Sequence, residues 1–65
     1  MSSSNEEVEI NCKVRAHTPG AIKINDGNIE VWVPRSVIKD YSGESVEEAD
    51  SIFVPEWFAI QEGLI

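Results

Sequence analysis

The residues that could do chemistry in this chain are few and scattered. Cys12 and His17 are its single cysteine and single histidine. Structural zinc takes four Cys or His ligands, so these two cannot hold one within the chain. Cys12 falls on the apolar side of the alternating run Val8-Glu9-Ile10-Asn11-Cys12-Lys13-Val14, where a thiol serves as a small core hydrophobe. No local motif places a base beside it. His17 precedes the breaker Thr18-Pro19-Gly20 and reads as an exposed turn residue, and Ser36 suits a turn cap. Glu44, Glu47, Glu48 and Asp50 form an acidic surface without the spacing of a calcium-binding loop. Gly20, Gly27, Gly43 and Gly63 are separate turn glycines and make no phosphate loop. No catalytic residue, metal ligand or cofactor motif emerges, and the chain is expected not to be an enzyme.

Binding chemistry is better represented. Two β-rich segments each carry a Trp and a Val-Pro pair: Val31-Trp32-Val33-Pro34 and Val54-Pro55-Glu56-Trp57. Proline lacks a backbone donor and fixes φ, so each pair marks the end of a strand. Arg35 follows the first pair close to Trp32, and an Arg beside an aromatic can stack and bind phosphate or carboxylate. Lys39 lies four residues on, where one helical turn would align it with Arg35. The plainer reading makes both cations partners of nearby acids. Trp32, Arg35, Lys39 and Trp57 are therefore the candidate binding residues. Trp32 is either covered by a curling sheet or exposed to a partner, and exposure of so large an apolar ring would need a reason. Trp57 is expected to plug one end of the fold.

The elements that must position these residues are short. The 65 residues allow one domain, and a domain this size buries only about 60% of its unfolded surface, too little for a deep enclosed site. Residues 1–6 read as a disordered tail and 7–65 as a single β domain. Val8, Ile10, Cys12, Val14 and Ala16 alternate with polar residues as far as His17, which predicts one long half-buried strand. Ala21–Ile24 and Ile29–Val33 predict two further strands, joined by Asn25-Asp26-Gly27-Asn28, a strong tight-turn signal. A helical or 3-10 turn is expected after Pro34, an acidic loop over Ser42–Ser51 with a weak helical turn at Val46–Ala49, and a fourth strand at Ile52–Val54. Pro55 at the first helical position and Gly63 past the end predict a short helix, with Trp57, Ile60 and Leu64 on one face. The expected fold is mainly β: four antiparallel strands, strongly curled or closed as a small SH3- or OB-like barrel, with a short C-terminal helix and a core supplied largely by the aromatic segments.

Charge narrows the partners. Twelve acidic and five basic residues give a formal net charge of −7. Duplex DNA binding draws on Lys and Arg through counterion release, so duplex DNA is a poor partner unless the five cations share a face. The acidity suits a protein with a basic surface, or serves only solubility. The polar, acidic N-terminal residues lack the charged and apolar regions of a signal peptide, and no apolar run approaches the ~20 residues of a membrane span. A cytoplasmic location without membrane attachment is expected.

The segments Val31-Trp32-Val33-Pro34-Arg35-Ser36 and Val54-Pro55-Glu56-Trp57-Phe58-Ala59, with Glu62-Gly63-Leu64-Ile65, resemble a class of short acidic uncharacterised proteins of bacteriophages and bacterial mobile elements. These share a Trp-x-Pro-Lys/Arg-Ser centre and a Pro-Glu-Trp-Leu-Ala…Gly-Leu end. The resemblance covers about residues 8–39 and 52–65, with Phe58 in place of the usual Leu. It implies a bacterial host cell as the setting and no mechanism. Three functions follow as expectations. One is a non-enzymatic accessory protein acting on a host protein, including mimicry of nucleic-acid charge or inhibition of a defence factor. The second is a binder of single-stranded nucleic acid or nucleotide, with bases stacked on Trp32 and Trp57 and phosphates met by Arg35, Lys39 and Lys23. The third is a structural subunit that self-associates, a homodimer included.

Overall fold

The computed structural model describes residues 6–65 and builds two three-stranded antiparallel sheets and one short helix. The strands are β1 (Glu7–Asn11), β2 (Lys13–His17), β3 (Ala21–Asn25), β4 (Glu30–Pro34), β5 (Asp40–Tyr41) and β6 (Ser51–Pro55), followed by α1 (Glu56–Gln61). One sheet has the order β1-β6-β5 and the other β2-β3-β4. The single barrel of four strands is thereby corrected to six strands in two sheets that do not close into a barrel. The expected tail falls outside the described residues except for Glu6, whose carbonyl accepts a 2.7 Å hydrogen bond from the Glu56 N–H.

The long alternating run is present, but it serves both sheets. Val8, Ile10, Cys12, Val14 and Ala16 all turn inward to some degree while their neighbours are exposed. The break comes at Cys12, whose N–H leaves the ladders and donates to the Asp50 carbonyl at 3.0 Å. Up to Asn11 the chain pairs with β6 (Ile10 opposite Ile52, Val8 opposite Val54). From Lys13 it pairs with β3 (Val14 opposite Ile24). A register shift between Val14 and Ala16 inserts Arg15 as an extra residue, a bulge that sharpens the local twist.

The expected three-strand meander is β2-β3-β4. Its first turn is closed by Thr18: the Ala21 N–H donates to Thr18 Oγ1 at 3.1 Å, and the Thr18 N–H donates to the Ala21 carbonyl at 2.8 Å. The second turn is looser than a two-residue hairpin. Only Gly27 takes a positive φ, 96°, and the loop is held instead by side chains. Asn25 Oδ1 accepts from the Gly27 N–H, and Asp26 Oδ1 accepts from the N–H groups of Asn28 and Ile29. Such Asx turns let a short polar side chain stand in for a backbone partner.

After Pro34 a 3-10 turn (Arg35–Val37) leads to the two-residue β5, which sequence periodicity does not reveal. A second 3-10 turn (Val46–Glu48) occupies part of the acidic loop. Pro55 ends β6 opposite Glu7 and caps α1 from outside, rather than opening it as its first residue.

The core is aliphatic. Ile10, Ile52 and Val54 from one sheet and Ile22, Ile24 and Val33 from the other meet with Cys12, Ala49, Phe58 and Ala59. Neither Trp belongs to it, which corrects the expectation of an indole-built core. Of the helix, Phe58 and Ala59 are the buried residues. The two sheets differ in their other faces: β6 is buried on both sides, with Ser51 and Pro55 as well as Ile52 and Val54 out of solvent, whereas Trp32 on the outer side of β4 is exposed.

Candidate binding surfaces

The four candidate binding residues do not converge. Trp32 lies on the outer face of the β2-β3-β4 sheet and is 47% exposed, which decides for the uncovered alternative. Its cation is Lys23, directly opposite it on β3, with Nζ 5.7 Å from the ring centroid.

Arg35 is committed elsewhere. Its Nε and Nη2 both donate to the Thr18 carbonyl, at 3.1 and 2.8 Å, and Nη1 meets Glu47 Oε2 at 2.8 Å. The Arg35 N–H also donates to the Gly20 carbonyl at 3.0 Å. The planar fork thus ties the β2–β3 turn, the chain after β4 and the acidic loop together, a use that matches guanidinium geometry. A phosphate bound here would have to compete with Glu47 for Nη1. Lys39 is exposed, and it is not aligned with Arg35: Ile38 is already extended, and the Lys39 N–H donates to the Phe53 carbonyl at 2.8 Å.

Trp57 is 42% exposed, so it does not plug the fold; Phe58 takes the interior position and meets the indole edge-on at 5.8 Å. Ile60, one turn further along α1, is 59% exposed. The helix therefore presents Trp57 and Ile60 to solvent. Acidic residues gather at the start of the helix: Glu56 is its first residue, the Glu6 backbone carbonyl accepts from the Glu56 N–H, and Glu7 is opposite Pro55 in the ladder. The outer face of the adjoining sheet continues the charge. Glu9 and Asp40 flank half-buried Phe53 in one cross-strand row.

The acidic residues of the Glu44–Asp50 segment divide. Glu47 is taken by Arg35; its own backbone N–H and then that guanidinium hold its carboxyl below the ordinary carboxylate range. Asp50 pairs with Lys13 at 2.8 Å, which holds the Lys13 ammonium above its usual value. Glu44 and Glu48 are exposed. Among the described residues no group of three or more His, Cys, Asp or Glu is placed to hold a metal ion.

A surface cleft opens where the chain changes sheets, lined by Asn11, Lys13, Asn25, Asp26 and Asp50 with Cys12 at its floor. Burial pushes the Cys12 thiol up, and Asp26 and Asp50 push it further. The thiol is thus kept in its un-ionised form, unsuited to nucleophilic attack. His17 is exposed.

The alternation on each strand of the meander places Lys13, Arg15, Lys23, Glu30 and Trp32 opposite the apolar row, and the outer face of the β2-β3-β4 sheet carries them together, with Glu30 3.7 Å from both Arg15 and Lys23. Lys13 and Arg15 are not among the expected binding residues; their pairing through β3 to Trp32 is what the linear pattern does not show. No helix among the described residues is long and apolar enough to cross a membrane. Comparisons with protein-family models, with curated proteins and with solved structures returned no match.

Proposed function

We propose that this chain is a non-enzymatic acidic binding module that docks onto a protein through the surface around Trp57. The supporting observation is the pairing of exposed Trp57 and Ile60 on one helix face with Glu6, Glu7 and Glu56 gathered at the helix start. Trp is the side chain most enriched at interface hot spots, and such anchors are desolvated within a polar rim. An acidic rim favours a partner whose apolar pocket is bordered by Lys and Arg, and it speeds encounter with one. A second copy of the chain would bring like charges together, so a homodimer through this face is disfavoured.

The resemblance to bacteriophage and mobile-element proteins supplies the setting for this reading. The chain acts in the bacterial cytoplasm as an accessory protein on a host factor. Its carboxylates then occupy a groove that would otherwise receive nucleic-acid phosphates, as a charge mimic or defence inhibitor does.

Capture from a bacterial lysate on the immobilised chain tests this. A protein retained at low salt, released at high salt, and lost with both Trp57→Ala and the paired reversal Glu7→Lys/Glu9→Lys is the expected result. Retention of the same proteins by Trp57→Ala, or none captured at low salt, would overturn it.

A further inference from the structure

The geometry points to a second binding surface, distinct from the Trp57 face: the outer face of the β2-β3-β4 sheet takes a single-stranded oligonucleotide, with one base on Trp32 and phosphates on Lys13, Arg15 and Lys23. Three of the chain's five cations lie on this one face. Trp32 stands among them 47% exposed, with Lys23 held over its ring at 5.7 Å. An exposed aromatic beside basic side chains on a sheet is the arrangement by which proteins stack bases and track a backbone without reading sequence; here the three cations are shared with two carboxylates, Glu30 and Asp50. Lys13 and Arg15 are two residues apart on β2, with Arg15 at the bulge, and both Arg15 and Lys23 reach Glu30 at 3.7 Å, so the cations lie close together on this face.

The carboxylates on this face do not close it. Glu30 sits 3.7 Å from both Arg15 and Lys23, with their side chains 61% and 37% exposed. Such pairs are weak and exchange readily with another anion. Lys13 is more firmly held by Asp50 at 2.8 Å, yet that pair is also open to water. Exposed carboxylates farther from this face than the Debye length, about 8 Å at physiological salt, act on a bound strand only weakly; Asp26, which lines the same cleft as Lys13 and Asp50, is the nearer opposing charge. A duplex fits less well, because its bases are already stacked on one another and cannot be laid on the indole.

Fluorescence of the Trp57→Phe protein, which keeps Trp32 as its sole Trp, provides the readout. A short oligothymidylate should quench that emission. Its affinity should fall with salt at a log–log slope of about −2, as expected for three phosphate contacts at ~0.7 each on a single strand. Lys23→Gln should lower the slope by about 0.7 and weaken binding several-fold. Anisotropy of a labelled oligothymidylate on the wild-type protein and on Trp32→Ala gives an independent arm, with a loss of about tenfold or more expected from the missing stack. No binding by either arm at low salt overturns the proposal. So does undiminished binding by Trp32→Ala, or equal quenching by a polyglutamate peptide. Trp57→Ala should leave oligonucleotide affinity unchanged, so this test can fail while the protein-docking reading stands, and the reverse.

Discussion

Asp26 carries the β3–β4 turn through one oxygen. Its Oδ1 accepts hydrogen bonds from the N–H groups of Asn28 and Ile29 at 2.8 and 2.9 Å, and these hold its pKa below the ordinary 3.8. A carboxylate depressed by folding binds fewer protons in the native chain than in the unfolded one, so acid favours unfolding. The stabilisation is therefore complete above pH 3.8 and is lost as the pH falls from there through the folded value. Asp26→Ala should lower the melting temperature at pH 7, and the difference from wild type should shrink as the pH is taken below 3.8. An unchanged difference between pH 7 and pH 2 would show that the carboxylate charge is not what holds the turn. The residue type at this turn was legible in the sequence, since Asx-Gly pairs signal a reversal. The role of Arg35 was legible in part. The plainer reading, that it pairs with an acid, holds in its contact with Glu47, while stacking on Trp32 does not; its bond to Thr18, seventeen residues back, was not foreseen. Contacts of that separation are set by how the β2–β3 turn folds against the end of β4, and no local pattern encodes them.

At the level of elements, periodicity told which residues turn inward but not what they turn toward. The alternation from Val8 to Ala16 runs through Cys12 unbroken, because a strand that changes sheets keeps its two-residue period. Only the Cys12 N–H, diverted to Asp50, marks the change. The two-residue β5 is too short to show any period. The helix misled in a different way. Trp57, Ile60 and Leu64 have helical spacing, yet the buried residues of the helix are Phe58 and Ala59, and of the three only Leu64, beyond the helix, packs partly against the core. With six residues, α1 is little more than one turn and a half, and the direction in which the chain leaves Pro55 decides which side meets the core. Energetics should follow burial and not residue size. Phe58→Ala removes a buried ring and is expected to destabilise the domain by about 3–5 kcal/mol. Trp57→Ala removes a half-exposed ring and should cost well under half of that, mostly through the lost edge-on contact with Phe58, worth about 0.5–1.5 kcal/mol. Urea unfolding of the two variants compares them directly. Equal losses would place the indole in the core.

For the whole molecule, composition is legible and its distribution is not. An excess of carboxylates over cations is plain in the chain, but its distribution over the two sheets is not. One sheet joins Glu7, Glu9 and Asp40 to the helix carrying Trp57; the other joins Lys13, Arg15 and Lys23 to Trp32, with Glu30 and Asp50 paired to these cations. Each thereby receives an indole, and three of the five cations gather on the second. A chain of 65 residues has little interior in which to enclose a reactant. Everything proposed about binding depends on both indoles standing outside the core. Fluorescence of Trp32→Phe and Trp57→Phe, each retaining one Trp, measures this with a neutral quencher such as acrylamide. Both proteins should fold with near wild-type stability, emit at long wavelength and quench readily in the native state. Short-wavelength emission shielded from acrylamide until unfolding, from either indole, would contradict the account.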